Sequence, residues 1–141
     1  MDRRSFIKTG LAGAAAGSLL PVSALADHGH KAMMTPMAGS LYYTEANPGR
    51  WSAKAGGHLP HIKVEGSQVQ VVTGHEMKGY EHYIVKHILF DAHMNILGEK
   101  LFDPTKDQPI SDYTLPAGYK GTLYALSMCN KHDVWLNSLD V

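Results

Sequence analysis

The sequence predicts an all-β domain, an antiparallel β-sandwich of six or seven short strands. One observation is that apolar and polar residues alternate within several short segments of the second half of the chain. The other is that turn residues interrupt these segments at intervals of about 8–12 residues, as in known sandwiches. No heptad, helical period or internal repeat is visible, so the pattern favours neither a helical nor a repeat architecture.

Each candidate strand ends at residues that favour turns. Residues 61–65 alternate as His-Ile-Lys-Val-Glu, and Gly66-Ser67 marks the turn behind them. Residues 83–91 form the longest candidate, and a break at 95–98 follows it. In chain order, the predicted strands are 61–65, 69–72, 83–91, 99–102, 110–115, 121–128 and 133–138.

Composition limits the possible functions. The chain has 141 residues, which fits one domain, and its apolar content of 44% is too high for a disordered chain. Its 13 basic and 13 acidic residues give no basic field for binding a nucleic acid by charge. It holds nine histidines and one cysteine. A single cysteine excludes an internal disulfide and an all-cysteine metal centre, so any metal centre must consist mainly of histidines.

Residues 1–26 are predicted to be a signal peptide. Arg3-Arg4, with Phe-Ile-Lys behind them, resembles a twin-arginine export signal. The apolar stretch 9–20 is too short for a bilayer span, which needs about 20 residues. Ala24-Leu25-Ala26 is typical of a cleavage site, although an uncleaved anchor or a buried helix is the alternative. We expect export by the twin-arginine route, to the periplasm or an equivalent compartment, with the cofactor already inserted.

Cleavage at this site defines the remaining segments. It leaves 115 residues with 10 basic and 12 acidic side chains, a net charge of −2. No apolar run of 18 residues remains, so we expect no membrane segment in the mature form. Residues 27–50 are rich in His, Met, Gly and Pro, which predicts a flexible lead-in, and residues 51–141 form the predicted folded domain.

Three segments contain candidate metal ligands. Cys129 and His132 are three residues apart in a short loop after a strand, so both can reach one metal, although a buried cysteine is more often a small apolar residue. His75 and His82 bracket a glycine-containing loop. Seven residues apart on one strand they would face opposite ways, but across a loop they can converge. His58 precedes a turn that Pro60 restrains.

The three segments together resemble the superoxide reductase family, also called neelaredoxin or, in its two-iron form, desulfoferrodoxin. The resemblance rests on His58-x-Pro60, on His75 with His82-Tyr83-Ile84, and on Cys129-Asn130-x-His132-x-x-Trp135. It covers roughly residues 50–137 and implies a seven-stranded immunoglobulin-like β-sandwich. It further implies one iron per chain with an axial thiolate and four equatorial imidazoles, from Cys129, His58, His75, His82 and His132.

The resemblance also implies a reaction and its partners. Superoxide and two protons give hydrogen peroxide while Fe2+ becomes Fe3+. With one cysteine, we expect the four-cysteine rubredoxin-like domain to be absent and the chain to belong to the one-iron class. An external one-electron donor, such as a rubredoxin-like protein or a cytochrome, must then restore Fe2+. The family further implies a homo-oligomer, with neither nucleic acid nor membrane as a partner.

The sequence departs from the family pattern at three places. The usual Glu-Lys before the first histidine is Gly56-Gly57, and Lys54 is the nearest basic residue, for which we predict an electrostatic role. In the second segment Glu76 replaces the usual proline, and one extra residue, placed at Gly79, separates the two histidines. Asp133 stands where a glycine usually follows the last histidine.

Two other functions are compatible with this pattern. One is a non-enzymatic iron-binding, electron-transfer or redox-sensing module on the same fold, which the missing Glu-Lys pair favours. The other is a sandwich whose histidines are structural. The histidines without a counterpart in the family motifs are expected to be bystanders; they are His28, His30, His61, His87 and His93.

Overall fold

The computed structural model describes residues 37–141, so the predicted signal peptide 1–26, His28 and His30 lie outside the described residues. The described part confirms the predicted fold class. Seven strands form two antiparallel sheets, one of three strands in the order β1-β2-β5 and one of four in the order β4-β3-β6-β7. The strands are β1 Pro60–Glu65, β2 Gln68–Thr73, β3 Ile84–Phe90, β4 Ile96–Leu101, β5 Ile110–Thr114, β6 Thr122–Cys129 and β7 Asp133–Asp140.

The core lies between the two sheets and follows from the alternation in the sequence. In β6 every second residue is buried, because successive side chains of a strand point to opposite faces. The largest buried aliphatic cluster takes members from both sheets: Val69, Val71, Leu89, Leu115, Leu123 and Ala125. Burying each large aliphatic side chain stabilises the fold by about 1.5–3 kcal/mol.

Strand β4 begins earlier than the sequence predicts. The expected break at 95–98 is instead a tight turn that ends at Asn95, and β4 starts at Ile96. Asp91 Oδ1 accepts hydrogen bonds from the backbone N–H groups of His93 and Asn95, both at 2.8 Å. Because one carboxylate closes this turn, the chain returns to the sheet at once.

A polar group lies within the apolar core. His87 is fully buried, with its Nε2 2.8 Å from Thr73 Oγ1 and its Nδ1 2.8 Å from Ser111 Oγ. Thr73 Oγ1 also lies 2.9 Å from Ser127 Oγ. These residues come from both sheets, and their hydrogen bonds offset the cost of burying polar atoms. His87 is therefore a core residue.

Part of the segment predicted as a lead-in packs on the domain. Tyr43 is 1% exposed, and its ring lies 5.6 Å from that of Trp135. Its backbone N–H donates to the carbonyl of Val134, and its carbonyl accepts from Leu136 N–H, each at 2.8 Å. Tyr43 thus forms a parallel bridge beside β7 at the edge of the sheet.

Short helices connect the elements around one end of the sandwich. A 3₁₀ helix, Gly49–Lys54, with a non-helical kink at Trp51, leads into the one-turn helix α1, Ala55–His58. A second 3₁₀ turn, Gly79–Glu81, precedes β3. Among residues 37–141, no helix has the length and apolar character needed to cross a membrane.

Candidate metal centre

Strand register brings the predicted ligands to the same end of the sandwich. Pro60 at the start of β1 pairs with Thr73 at the end of β2, so His58 and His75 lie beyond the same edge. In the other sheet Ile84, at the start of β3, pairs with Cys129 at the end of β6. His82 precedes that pair and His132 lies in the turn behind it, so all five side chains converge.

Four imidazole nitrogens lie close together at this end. His75 Nε2 lies 3.1 Å from His82 Nε2, which lies 3.0 Å from His132 Nδ1, which in turn lies 3.0 Å from His58 Nε2. The Cys129 Sγ lies 3.7 Å from His132 Nδ1. One ligand atom each from His58, His75, His82 and Cys129 lies within 4.8 Å of the others.

The rings are arranged as the corners of a square. The neighbouring ring centroids are 4.4–4.8 Å apart and the rings are nearly perpendicular, for the pairs His58–His75, His75–His82, His82–His132 and His132–His58. Across the square, the centroids of His58 and His82 are 6.0 Å apart. The four imidazole rings thus surround a common centre.

This spacing fits a metal ion. Two imidazoles that bind a metal at about 2.1 Å and at right angles have nitrogens about 3.0 Å apart. Three consecutive nitrogen pairs around the square have separations of 3.0–3.1 Å. Imidazole nitrogen with thiolate sulfur is a donor set for a borderline or soft transition metal rather than for calcium or magnesium. The donor chemistry is therefore that of an iron, zinc or copper site.

Hydrogen bonds outside the cluster orient two of the histidines. His58 Nδ1 lies 2.9 Å from the Lys54 carbonyl oxygen, which can only accept, so Nδ1 carries the proton and Nε2 presents a lone pair to the cluster. The backbone carbonyl of His132 accepts a hydrogen bond from Trp135 Nε1 at 2.9 Å. The Trp135 ring, fully buried, also lies 5.9 Å from that of His58.

The sulfur of Cys129 lies at the junction of the site and the core. Cys129 is 3% exposed and packs with Ile84 and Phe102. The N–H that reaches its sulfur comes from Lys131, at 3.5 Å. The Asn130 N–H donates instead to the Tyr83 carbonyl at 3.1 Å, because the turn at residues 129–133 pairs with the chain entering β3.

Asn130 ties this turn to the neighbouring histidine loop. Its Oδ1 accepts from Tyr83 N–H at 2.9 Å, and its Nδ2 donates to the Glu81 carbonyl at 3.0 Å. Both partners are neighbours of His82 in the sequence. One amide side chain therefore fixes the spacing between the cysteine turn and the loop that ends at His82.

Burial keeps the clustered imidazoles neutral. It lowers the pKa of His58 to about 4, aided by repulsion from the neighbouring histidines. Burial also lowers the pKa of His75, His82 and His132, with smaller contributions from nearby positive charges. Neutral imidazole is the form that binds a metal, so no proton must be displaced near neutral pH.

Three lysines surround the cluster, and two of them are paired with carboxylates. Lys78 Nζ lies 3.3 Å from Glu76, and Lys131 Nζ lies 3.6 Å from Glu81. Lys54 makes no ion pair with any residue from 37 to 141. Its charge contributes to the lowered pKa of His132, which places it within electrostatic reach of the cluster.

Other predicted bystanders stay outside. His87 belongs to the core group between the sheets, and His61 and His93 are exposed. Sequence reasoning did not find Arg50 and Trp51, which contact Asp133 beside the cluster. The aspartate in place of the family glycine was a signal, but its partners lie more than 80 residues away in the chain.

Comparisons with known proteins agree with this geometry. The desulfoferrodoxin family profile matches residues 50–138. A superoxide reductase from Pyrococcus furiosus is 29% identical over an alignment of 104 positions that covers 70% of this chain and 81% of that protein. The solved superoxide reductase (neelaredoxin) of Ignicoccus hospitalis is 29% identical with a TM-score of 0.60, covering 73% of this chain and 95% of its own. The superoxide reductase (1Fe-SOR) of Giardia intestinalis is 27% identical with a TM-score of 0.53, covering 60% and 97%.

Proposed function

This chain belongs to the desulfoferrodoxin family, and from that premise we propose that it is a superoxide reductase of the one-iron class. Superoxide reductases of this class carry a single non-haem iron. We assign His58, His75, His82, His132 and Cys129 as its ligands. The observation that supports the proposal most strongly is the convergence of four imidazole nitrogens and one sulfur at the end of the sandwich.

The ligand atoms suit a centre that reduces an anion. Neutral imidazoles add no charge, so a ferrous ion held by these residues would keep a positive charge. It would attract superoxide and could supply the single electron. Cys129, as a thiolate, contributes one negative charge and a strongly electron-donating sulfur. The Lys131 N–H that points at this sulfur adjusts its donor strength, because a hydrogen bond withdraws electron density from it.

The protein provides a local positive field although the chain left after the expected cleavage has a net charge of −2. Lys54 is exposed and unpaired among residues 37–141, and it lies within electrostatic reach of His132. A cation at this position raises the local concentration of a small anion such as superoxide. We assign to Lys54 the electrostatic role that the lysine of the usual Glu-Lys pair has in the family.

The net reaction consumes one superoxide, one electron and two protons and yields one hydrogen peroxide. Water supplies the protons, and the ferrous ion supplies the electron. A separate donor, such as a rubredoxin-like protein or a cytochrome, must then return one electron to the chain. Export by the twin-arginine route and assembly into a homo-oligomer are part of this proposal.

Stopped-flow mixing tests the reaction. Ferrous, iron-loaded protein is mixed with superoxide, and oxidation of the iron is followed by absorbance. We expect a second-order rate constant far above that of free ferrous iron. Replacement of the proposed ligand His75 by alanine should abolish the fast phase, and the matched replacement of exposed His93 should preserve it. Wild-type oxidation no faster than that of free iron would favour the non-enzymatic iron-binding module.

A further inference from the structure

We propose that Asp133 is a latch that holds the 3₁₀ helix Gly49–Lys54 against the cluster and thereby positions two of the ligands, His58 and His132. Asp133 and its partners Arg50 and Trp51 lie outside the proposed ligand set. The link between the latch and iron rests on the proposed function. It gives a role to a departure from the family pattern, the aspartate that follows the last histidine.

The Asp133 carboxylate binds two consecutive residues of the helix. Its Oδ2 accepts a hydrogen bond from the Arg50 guanidinium at 2.6 Å and another from Trp51 Nε1 at 2.8 Å. An exposed ion pair alone contributes little, and the Arg50 and Asp133 side chains are 65% and 40% exposed. Here, however, the carboxylate also binds a neutral donor, so three groups hold one another in a fixed arrangement.

Arg50 connects this group to the core. Its Nε donates to Tyr43 Oη at 3.2 Å, and Tyr43 is 1% exposed. Its guanidinium also lies 4.9 Å from the centre of the Trp51 ring, a cation–π distance. The latch is therefore attached to a rigid part of the fold rather than only to the surface.

The start of the helix is fixed separately. Gly49 has a φ of 48°, and a Cβ at this position would overlap the carbonyl oxygen of Gly39. Only glycine combines this conformation with so close an approach. Gly49 thus fixes the beginning, and Asp133 holds the next two residues up to the kink at Trp51. Together they restrict the path of the chain that leads on to Lys54.

The helix contacts two ligands that are neighbours in the square. The Trp51 ring meets that of His132 edge to face, with centroids 4.7 Å apart. Lys54, at the other end, offers the carbonyl that accepts the His58 Nδ1–H at 2.9 Å. His58 Nε2 and His132 Nδ1 are 3.0 Å apart, so displacement of this one helix would disturb both.

The backbone at Asp133 supports a specific role for its side chain. Its φ is 61°, a left-handed conformation that glycine adopts without strain and that an aspartate adopts at some cost. A carboxylate at a position that favours glycine therefore indicates a compensating interaction. The hydrogen bonds to Arg50 and Trp51 are that interaction.

The test compares Asp133→Gly, Asp133→Asn and a matched control, Glu65→Gln. Glycine suits the backbone and removes both contacts, whereas asparagine keeps an acceptor for Trp51 but loses the charge. The control breaks an exposed ion pair, Lys63–Glu65 at 2.7 Å, on strand β1. Iron release to a chelator should be about tenfold faster in the glycine variant, intermediate in the asparagine variant and unchanged in the control, in line with outer hydrogen bonds at other metal sites.

Two further readouts separate positioning from general stability. Trypsin should cut metal-free Asp133→Gly faster than wild type after Arg50 and Lys54, with rates outside this helix unchanged. The visible band of the ferric protein should shift in this variant and not in the control. If Asp133→Gly were cleaved and released iron at the wild-type rates, the latch would be overturned. If it were cleaved faster but its iron release and spectrum were unchanged, the effect of the latch on the ligands would be overturned. If no form of the protein binds iron, the proposed function fails while the cleavage rates still test the latch.

Discussion

Acidification should destabilise the fold through His87, a histidine outside the metal cluster. Its imidazole is fully buried between the sheets, and both ring nitrogens face hydroxyl groups, of Thr73 and Ser111. Burial lowers the pKa of His87 to about 4, from an ordinary value of 6.5. The folded protein therefore keeps His87 neutral at pH values where the unfolded chain protonates it.

The direction and size of the effect follow from this difference in pKa. Above about pH 6.5 His87 is neutral in both the folded and the unfolded state, so it does not make the free energy of unfolding depend on pH. Between pH 6.5 and 4 only the unfolded chain takes it up, so stability falls as pH falls. Each pKa unit corresponds to 1.36 kcal/mol, so the shift of His87 costs about 2 kcal/mol at pH 5 and about 3 kcal/mol below pH 4.

Urea unfolding at pH 7 and pH 5 measures this cost. Wild type and His87→Gln are compared as metal-free proteins, so that contributions of the other histidines cancel in the difference. Between pH 7 and pH 5, the free energy of unfolding should fall by about 2 kcal/mol less in His87→Gln than in wild type. His61→Gln, which removes an exposed imidazole, is the matched control and should behave as wild type. An equal loss of stability in wild type and His87→Gln would refute the reasoning.

The remaining predictions concern the cluster and its field. Cys129→Ser should abolish the visible thiolate-to-iron band of the ferric protein, and survival of the band would exclude Cys129 as the ligand. His82→Ala should lower the iron content of purified protein while His61→Ala does not, and equal loss would contradict the assignment of His82. Lys54→Gln should lower the rate constant with superoxide about 2–5-fold at low salt and less at high salt, since screening removes the attraction. If the rate constant of the variant depended on salt as strongly as that of wild type, Lys54 would not have this role.

Local patterns explain why the fold could be predicted. Residues of β6 alternate because one face is buried, and that alternation is visible in the sequence. The start of β4 was misplaced because Asn95 and Gly98 favour breaks, whereas the turn is closed by the side chain of Asp91, an interaction that a propensity does not register.

The cluster was predictable only in part. His75, His82 and the cysteine turn each stand in a short motif, so their residue types and order could be recognised along the chain. The latch at Asp133 could not be predicted, because its partners Arg50 and Trp51 lie 82–83 positions away in the sequence and no local pattern links them. The same holds for the core position of Tyr43, which depends on the edge of β7 rather than on its own neighbours.

The ligand set is the central claim, and an anomalous difference map at the iron absorption edge tests it most directly. The measurement uses crystals of the protein purified with its metal. We predict one iron peak per chain, bound by the Nε2 atoms of His58, His75 and His82, by Nδ1 of His132 and by Sγ of Cys129. A peak elsewhere, or a peak at this end of the sandwich without Cys129 or one of the four histidines as a ligand, would contradict the account.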